Sequence, residues 1–311
     1  MATIRIIGEL DTFMIAAVTN FYNPSKRKIK TDNFNQFYRS LVGIPLYIVE
    51  AAFGDDVFIL PESSNVMRVR CKDVIWQQYR LINLVINNLP DKFDKVVWID
   101  ADILFSNPFW HEEMDDKLDD FKVVQSYSEV KLNSQIGESQ VKKSVTKVAL
   151  ENAKNPLNKD FCSCLDMSAV NATGFSWGVQ RELVEKYGIY DYWITGSSDN
   201  AFVLGIWGDW ENKFISERLN EQMKKHFMEW AGPFNKYVDG KVSYLNEKIT
   251  HLWHGNRNYK KRWNCLKNFD PYNDVSIAEN GVFEWSSEKA DMHQCCKSMC
   301  YNYDVDFKPF L

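Results

Sequence analysis

Val96-Val97-Trp98-Ile99-Asp100-Ala101-Asp102 is the stretch on which the reading of this chain turns. Residues 96–99 are apolar and follow the polar segment Pro90-Asp91-Lys92-Phe93-Asp94-Lys95, so they read as a short buried strand with turn signals on both sides. In an extended chain, side chains at i and i+2 share a face. Asp100 and Asp102 are therefore expected to project together from the strand end. Two carboxylates at that spacing repel unless something positive lies between them. A hard divalent cation is the natural partner, with its remaining positions open to phosphate oxygens. The same triplet also fits a solvated loop or a helix N-cap, so its meaning depends on the rest of the chain.

Upstream, Asp73 to Leu89 predicts a helix: Ile75, Tyr79, Ile82, Ile86 and Leu89 recur at helical spacing and Pro90 stops it. Phe13 to Val18, ending in Thr19-Asn20, reads as a strand covered on both faces. Phe34 to Leu41 reads as a helix; Pro45 to Val49, Val57 to Leu60 and Val123 to Ser126 read as strands. Strands and helices alternate up to the acidic pair. That pattern implies an α/β fold with a mostly parallel central sheet flanked by helices. Ligands gather at the carboxyl ends of such strands, where Asp100 and Asp102 are expected. Glu129 to Lys159 is polar with a weak apolar stripe through Val141, Val145 and Val148, and fits a mobile flap or an ordinary surface helix. The expected organisation is a single domain over residues 1–264, with residues 265–311 as a C-terminal extension wrapped on it.

At 311 residues the chain can bury a substantial core, and 45% hydrophobic with 25% charged residues is ordinary for a soluble globular protein. Aromatics reach 14%; most are expected in the core, and sugar- or nucleotide-binding clefts are a further use for them. A net charge of −5 argues against duplex nucleic acid, which needs a basic face, although Lys26-Arg27-Lys28 and Lys260-Lys261-Arg262 form local basic clusters. No apolar run approaches the roughly 18 residues of a membrane span. The N-terminus lacks the charged region and cleavage site of a signal peptide. A cytoplasmic location follows as the expectation, with most of the 7 cysteines reduced. The spacing of His293, Cys295, Cys296 and Cys300 matches no standard zinc pattern.

Three further stretches carry chemistry. His251-Leu252-Trp253-His254-Gly255 holds two of the 5 histidines at a spacing that lets both rings reach one ion, and imidazole ligands suit Mn2+ better than Mg2+. Arg257, Lys260, Lys261 and Arg262 follow, and can neutralise a departing diphosphate. The plainer reading is a core histidine beside a solvated basic helix. In Thr195-Gly196-Ser197-Ser198-Asp199-Asn200, Asp199 is either a helix N-cap or a general base held at a rigid helix start. Asn171 to Gly178 suits a tight strand edge where a sugar or acceptor approaches the backbone, or an ordinary glycine-marked bulge.

With these residues placed, the chain resembles the GT-A fold glycosyltransferases, metal-dependent enzymes that use nucleotide sugars, in a viral or bacterial branch. The likeness rests on Trp76 to Asn83 leading to Val97 to Phe105, on Gly174 to Leu183 with Gly188 to Asp191, on Gly196 to Asn200, and on His251 to Tyr259. It implies a single Rossmann-like domain binding Mn2+ or Mg2+. By resemblance Asp102 is the direct metal ligand of a DxD motif, Asp100 its partner, and His254, with or without His251, the C-terminal ligand. Thr19, Asn20, Tyr22, Arg80, Asn83, Ala101, Gly255, Arg257 and Lys260 fall at donor-binding positions. Gly174, Trp177, Ser198 and Asp199 fall at acceptor positions, Asp199 being the catalytic base if the enzyme inverts. The Lys-Pro-Trp ending usual after the histidine motif in the most similar retaining family is absent from His251 to Tyr259.

The resulting expectation is transfer of a sugar from a nucleoside-diphosphate sugar, UDP favoured, to the hydroxyl of a glycan or another acceptor, with inversion. A retaining transferase, a metal-dependent nucleotidyltransferase or phosphohydrolase, and a non-catalytic sugar-binding protein are the alternatives. A modified nucleic-acid base stays open as acceptor. For a viral chain the location is the host cytoplasm.

Overall fold

The structure is a computed structural model that describes residues 15–135, 137–151, 171–257, 265–301 and 303–304. Phe13 and Met14 of the first expected strand, the end of the polar segment from 152 to 159, Lys260 to Arg262 and residues 305–311 lie outside the described residues.

The chain begins with β1 (Ile15–Tyr22), α1 (Lys28–Ser40), β2 (Leu46–Phe53), β3 (Val66–Cys71), α2 (Gln78–Asn87) and β4 (Lys95–Ile99). All eight residues of β1 are buried. Alternation explains how one strand feeds two cores. Ile15 and Ala17 enter one cluster, while Ala16 and Val18 enter the other. β4 divides the same way, Val97 and Ile99 on one face and Val96 and Trp98 on the other. Then follow β5 (Ile103–Phe105), α3 (Trp110–Asp120), β6 (Val123–Gln125), β7 (Glu129–Asn133), β8 (Ser139–Lys143), α4 (Val145–Glu151), β9 (Ser176–Gln180), α5 (Arg181–Tyr187), α6 (Ser198–Trp207), α7 (Lys213–Arg218), α8 (Glu221–Val238), β10 (Val242–Tyr244) and β11 (Lys248–His251). The remaining elements are β12 (Asn256–Arg257), β13 (Val275–Ile277), β14 (Phe283–Trp285), α9 (Ala290–Tyr301) and β15 (Tyr303–Asp304).

Seven strands form the central sheet in the order β10-β6-β9-β4-β1-β2-β3. β4, β1, β2 and β3 run parallel, as do β10 and β6, whereas β9 is antiparallel to both its neighbours. Phe34 and Phe37 of α1 and Trp110, Met114 and Leu118 of α3 cover one face. Residues of α2, α5, α6, α8 and α9 cover the other. The expected α/β architecture, mostly parallel and flanked by helices, is present. The parallel half meets the reversed strand β9 at β4, so the acidic pair lies at a change of strand direction, where clefts form in open sheets. A second sheet, β5-β11-β7-β8, lies beside that point.

Three sequence expectations are corrected. Val57 to Leu60 is a loop, not a strand: the buried Glu50 carboxylate accepts hydrogen bonds from the backbone N–H groups of Ile59 and Leu60, and Val57 is 79% exposed. The edge strand is β3, where Met67, Val69 and Cys71 alternate with Arg68 and Arg70. Of the stretch Asn171 to Gly178, residues 176–178 lie inside the sheet rather than at its edge, because β9 pairs on both sides. Cys265 and Cys295 form a disulfide, so the reduced-thiol reading holds for Cys71, Cys296 and Cys300 among the described cysteines.

The region after Cys265 shares the core of the sheet. Phe269, Val282, Phe283, Cys296 and Cys300 lie in the same buried cluster as Val18 and Leu81. Backbone groups of the β13–β14 hairpin bond to side chains at the start of α2: Phe283 N–H donates to Gln77, Trp285 N–H to Asp73, and the Gly281 carbonyl accepts from Arg80.

Candidate metal centre and active site

β4 ends at Ile99, and the chain turns at once, with Ile103 N–H donating to the Asp100 carbonyl at 3.2 Å. The premise of an extended, same-face pair is therefore wrong. The turn sends the two carboxylates apart. Asp100 Oδ1 accepts from Gln78 Nε2 at 2.6 Å, at the first residue of α2. Asp102 Oδ2 lies 3.7 Å from His251 Nε2 and 3.5 Å from His254 Nε2.

The second sheet brings the histidines there. β11 runs antiparallel to β5 and pairs His251 with Ile103, next to Asp102. Leu252 N–H donates to the Asp102 carbonyl, so the loop leaves the strand against the acidic turn. Two side chains hold that loop: Arg27 Nη1 donates to the His254 carbonyl at 2.6 Å and Asn33 Nδ2 to the Trp253 carbonyl at 3.1 Å. Gly255, at φ +103°, takes a backbone conformation that favours glycine, and a Cβ there would fall 2.5 Å from the Arg27 guanidinium and displace it.

Among the described residues, Asp102, His251 and His254 form one group whose ligand atoms all lie within 4.8 Å of one another. The carboxylate–imidazole separations exceed the ~2.7–3.2 Å of a good N–H···O bond. They fit atoms arranged around a shared ion. Asp102 Oδ1 is buried without a hydrogen-bond partner among the described residues, which costs about 1–3 kcal/mol unless a cation or ligand engages it. One carboxylate and two imidazoles form a donor set suited to Mn2+ or another imidazole-accepting divalent metal.

A strap of three residues joins this centre to Asp199. Thr173 Oγ1 donates to Asp199 Oδ2 at 2.5 Å. Gly174 lies so close that a Cβ there would meet Asp199 Oδ2 at 3.2 Å. The Phe175 carbonyl accepts from Asp100 N–H at 2.8 Å, and its ring lies 5.0 Å from that of His251. Tyr127 pins the strap by donating to the Gly174 carbonyl. Burial pushes the Tyr79 and Tyr127 phenols well above their ordinary value, and the charges of Asp199 and Asp100 push both further. Both phenols are thus neutral.

Other expected site residues are placed differently. Trp177 is 0% exposed, packs on Phe202 and donates to the Thr173 carbonyl; it anchors the strap from the core and cannot touch an acceptor. Asp199 is not the N-cap of α6: Ser197 is, at φ +73°, and Asp199 sits in the first turn beside the buried Ser198. Thr19 donates to the Ile99 carbonyl and Tyr22 to the Ile75 carbonyl, both inside the core, where Asn20 is also buried. Arg80 and Asn83 face Asp191, the Gly281 carbonyl and Ile189 rather than the acidic turn. Ala101 lies half-buried between the aspartates. Arg257 lies in β12, paired with β15, and Lys260 lies outside the described residues. Gln78, Thr173, Phe175 and Arg27 carry contacts that the sequence reading did not assign.

No protein-family model and no curated protein sequence matches the chain. Among solved structures it is similar to glucosyl-3-phosphoglycerate synthase from Mycobacterium tuberculosis in complex with Mn2+, uridine-diphosphate-glucose and phosphoglyceric acid, with TM-score 0.36, 12% identity, and 77% of this chain and 72% of that chain covered. A complex of the same enzyme with Mn2+, uridine-diphosphate and glucosyl-3-phosphoglycerate gives TM-score 0.40, 11% identity and coverage of 81% and 76%. At these values the similarity assigns nothing to this chain, whose own residues carry the functional reading.

Proposed function

We propose that this chain is a metal-dependent glycosyltransferase of GT-A type that uses a nucleoside-diphosphate sugar, UDP favoured. The observation that carries the reading is the convergence of Asp102, His251 and His254 at the end of a parallel strand, with one Asp102 oxygen buried and unpartnered. These three residues would hold Mn2+, or Mg2+ less well. When bound, the cation supplies positive charge against the diphosphate. Asp100, whose carboxylate bonds Gln78 rather than the cluster, would accept hydroxyl groups of the donor. Arg27, beside the His254 loop, adds a fixed positive charge. Asp199 accepts the proton of the attacking acceptor hydroxyl, oriented by the Thr173 hydroxyl on its other side. Attack from the face opposite the leaving diphosphate inverts the anomeric carbon. The acceptor class is a glycan or another hydroxyl compound.

The test is a panel of nucleotide sugars with Mn2+, scored for nucleoside diphosphate release and for the anomer formed. Release from one or two donors is expected, with Asp102→Ala losing at least about 10³-fold, the scale of an electrostatic group acting on developing charge. Transfer by that variant at near the wild-type rate would refute the metal role. Release of pyrophosphate instead would assign nucleotidyl transfer. Retention of configuration would reassign Asp199 to acceptor positioning.

A further inference from the structure

We propose that Gln78 is a positioning residue: its side-chain amide holds Asp100 away from the metal ligands and toward the hydroxyl groups of the donor nucleotide. This rests on the reading above and adds to it.

Asp100 is the one member of the acidic pair outside the metal group, and the described contacts account for that. Its backbone is fixed on two sides, by the Asp100 N–H bond to the Phe175 carbonyl and by the turn bond from Ile103 N–H. Its carboxylate is then claimed by Gln78 Nε2 at 2.6 Å. Gln78 is the first residue of α2, so the donor is carried on a regular element. The hold needs no charge on Gln78. An amide neither titrates nor neutralises the carboxylate, so Asp100 remains an acceptor for O–H groups.

Without the amide donor the bond that ties the Asp100 carboxylate to α2 is lost, and a second carboxylate can compete for the cation. Asp100 would then occupy coordination space that a diphosphate needs. Gln78 thus separates two tasks that neighbouring residues in one motif would otherwise share: Asp102 serves the metal and Asp100 the nucleotide.

The test compares wild type, Gln78→Met, Gln78→Lys, Asp100→Asn and the double variant Gln78→Met/Asp100→Asn. Calorimetry gives affinity for Mn2+ alone, then, with Mn2+ saturating, for whichever of UDP, GDP, ADP and CDP wild type binds most tightly. Met keeps the bulk of Gln and loses the donor; Lys restores a donor. Gln78→Met should leave Mn2+ affinity within about twofold, or tighten it, and weaken nucleotide about tenfold, the loss of one hydrogen bond to a charged group. Gln78→Lys should recover most of that loss. In the Asp100→Asn background, Gln78→Met should add nothing, because its effect runs through Asp100. The proposal is overturned if Gln78→Met binds nucleotide like wild type, if Mn2+ and nucleotide affinity fall by the same factor, or if the cost persists without the Asp100 carboxylate. Wild type that binds no Mn2+ would instead overturn the functional reading itself.

Discussion

Phe175 has a backbone φ of +78°, a region that costs a non-glycine residue about 1–2 kcal/mol. Such strain persists where the surroundings over-determine it. Here its carbonyl holds Asp100 N–H and its ring covers His251, so the strained residue ties the acidic turn to the imidazoles. Phe175→Gly relieves the strain but removes the ring. We expect Mn2+ affinity to fall about tenfold or more, as when an outer partner of a metal ligand is lost. Titration of Mn2+ into both proteins checks this; equal affinity would make the ring a bystander. At this scale the sequence showed the charged atoms and hid their directions. Asp100, Asp102, His251 and His254 stand out as types and spacings. The turn bond from Ile103 that parts the aspartates is local but carries no glycine or proline signal, and the bend that lays Thr173 on Asp199 joins residues 26 positions apart.

Helices and strands show where local pattern sufficed. Within α2, Tyr79, Ile82 and Ile86 are buried at helical spacing, although the helix is shorter than the expected Asp73 to Leu89, and β4 was legible as a continuous apolar run buried on both faces. The edge of the sheet was misassigned. Val57 to Leu60 is more apolar than β3, yet Arg68 and Arg70 lie over the Phe58 ring and the run remains a loop. The alternation in Val66 to Cys71 was the better signal, with two arginines on the outer face of an edge strand bonded to carbonyls of the neighbouring loop. Packing between α6 and α8 gives a prediction whose sign depends on tertiary contact. Replacing a helical glycine by alanine ordinarily gains about 1 kcal/mol. At Gly205 a Cβ would fall 2.6 Å from the Trp230 ring, and that indole is anchored by its bonds to the Tyr187 and Gly188 carbonyls. Gly205→Ala should therefore destabilise by about 1–3 kcal/mol, the cost of overpacking, read as a lower denaturation midpoint in urea. A higher midpoint would show that Trp230 yields.

Over the whole molecule, the C-terminal region is part of the core that supports the site, and the Cys265–Cys295 disulfide closes a 30-residue separation within it. Cys295→Ser should cost about 2–4 kcal/mol by the same urea measurement without reductant, and dithiothreitol should bring wild type to the variant's level. The pairing was not legible because no cysteine spacing announced it. Acid should weaken the fold. Burial holds His111 and His226 below the ordinary histidine value, against the raising influence of Glu112 and Asp115 on the first and of Glu229 and Asp270 on the second. The unfolded chain therefore takes up protons first. Stability present above about pH 6.5 is lost as pH falls toward the folded-state values, and His226→Gln should flatten that slope in urea titrations at several pH values. The central claim is that Asp102, His251 and His254 together hold a divalent cation while Asp100 does not. Anomalous diffraction from crystals soaked in Mn2+ tests it most directly. The account predicts one strong peak about 2.0–2.3 Å from an Asp102 oxygen and from both imidazole nitrogens, with the Asp100 carboxylate still on Gln78. A peak bridging Asp100 and Asp102 away from the histidines, or no peak at the cluster with nucleotide diphosphate present, would contradict it.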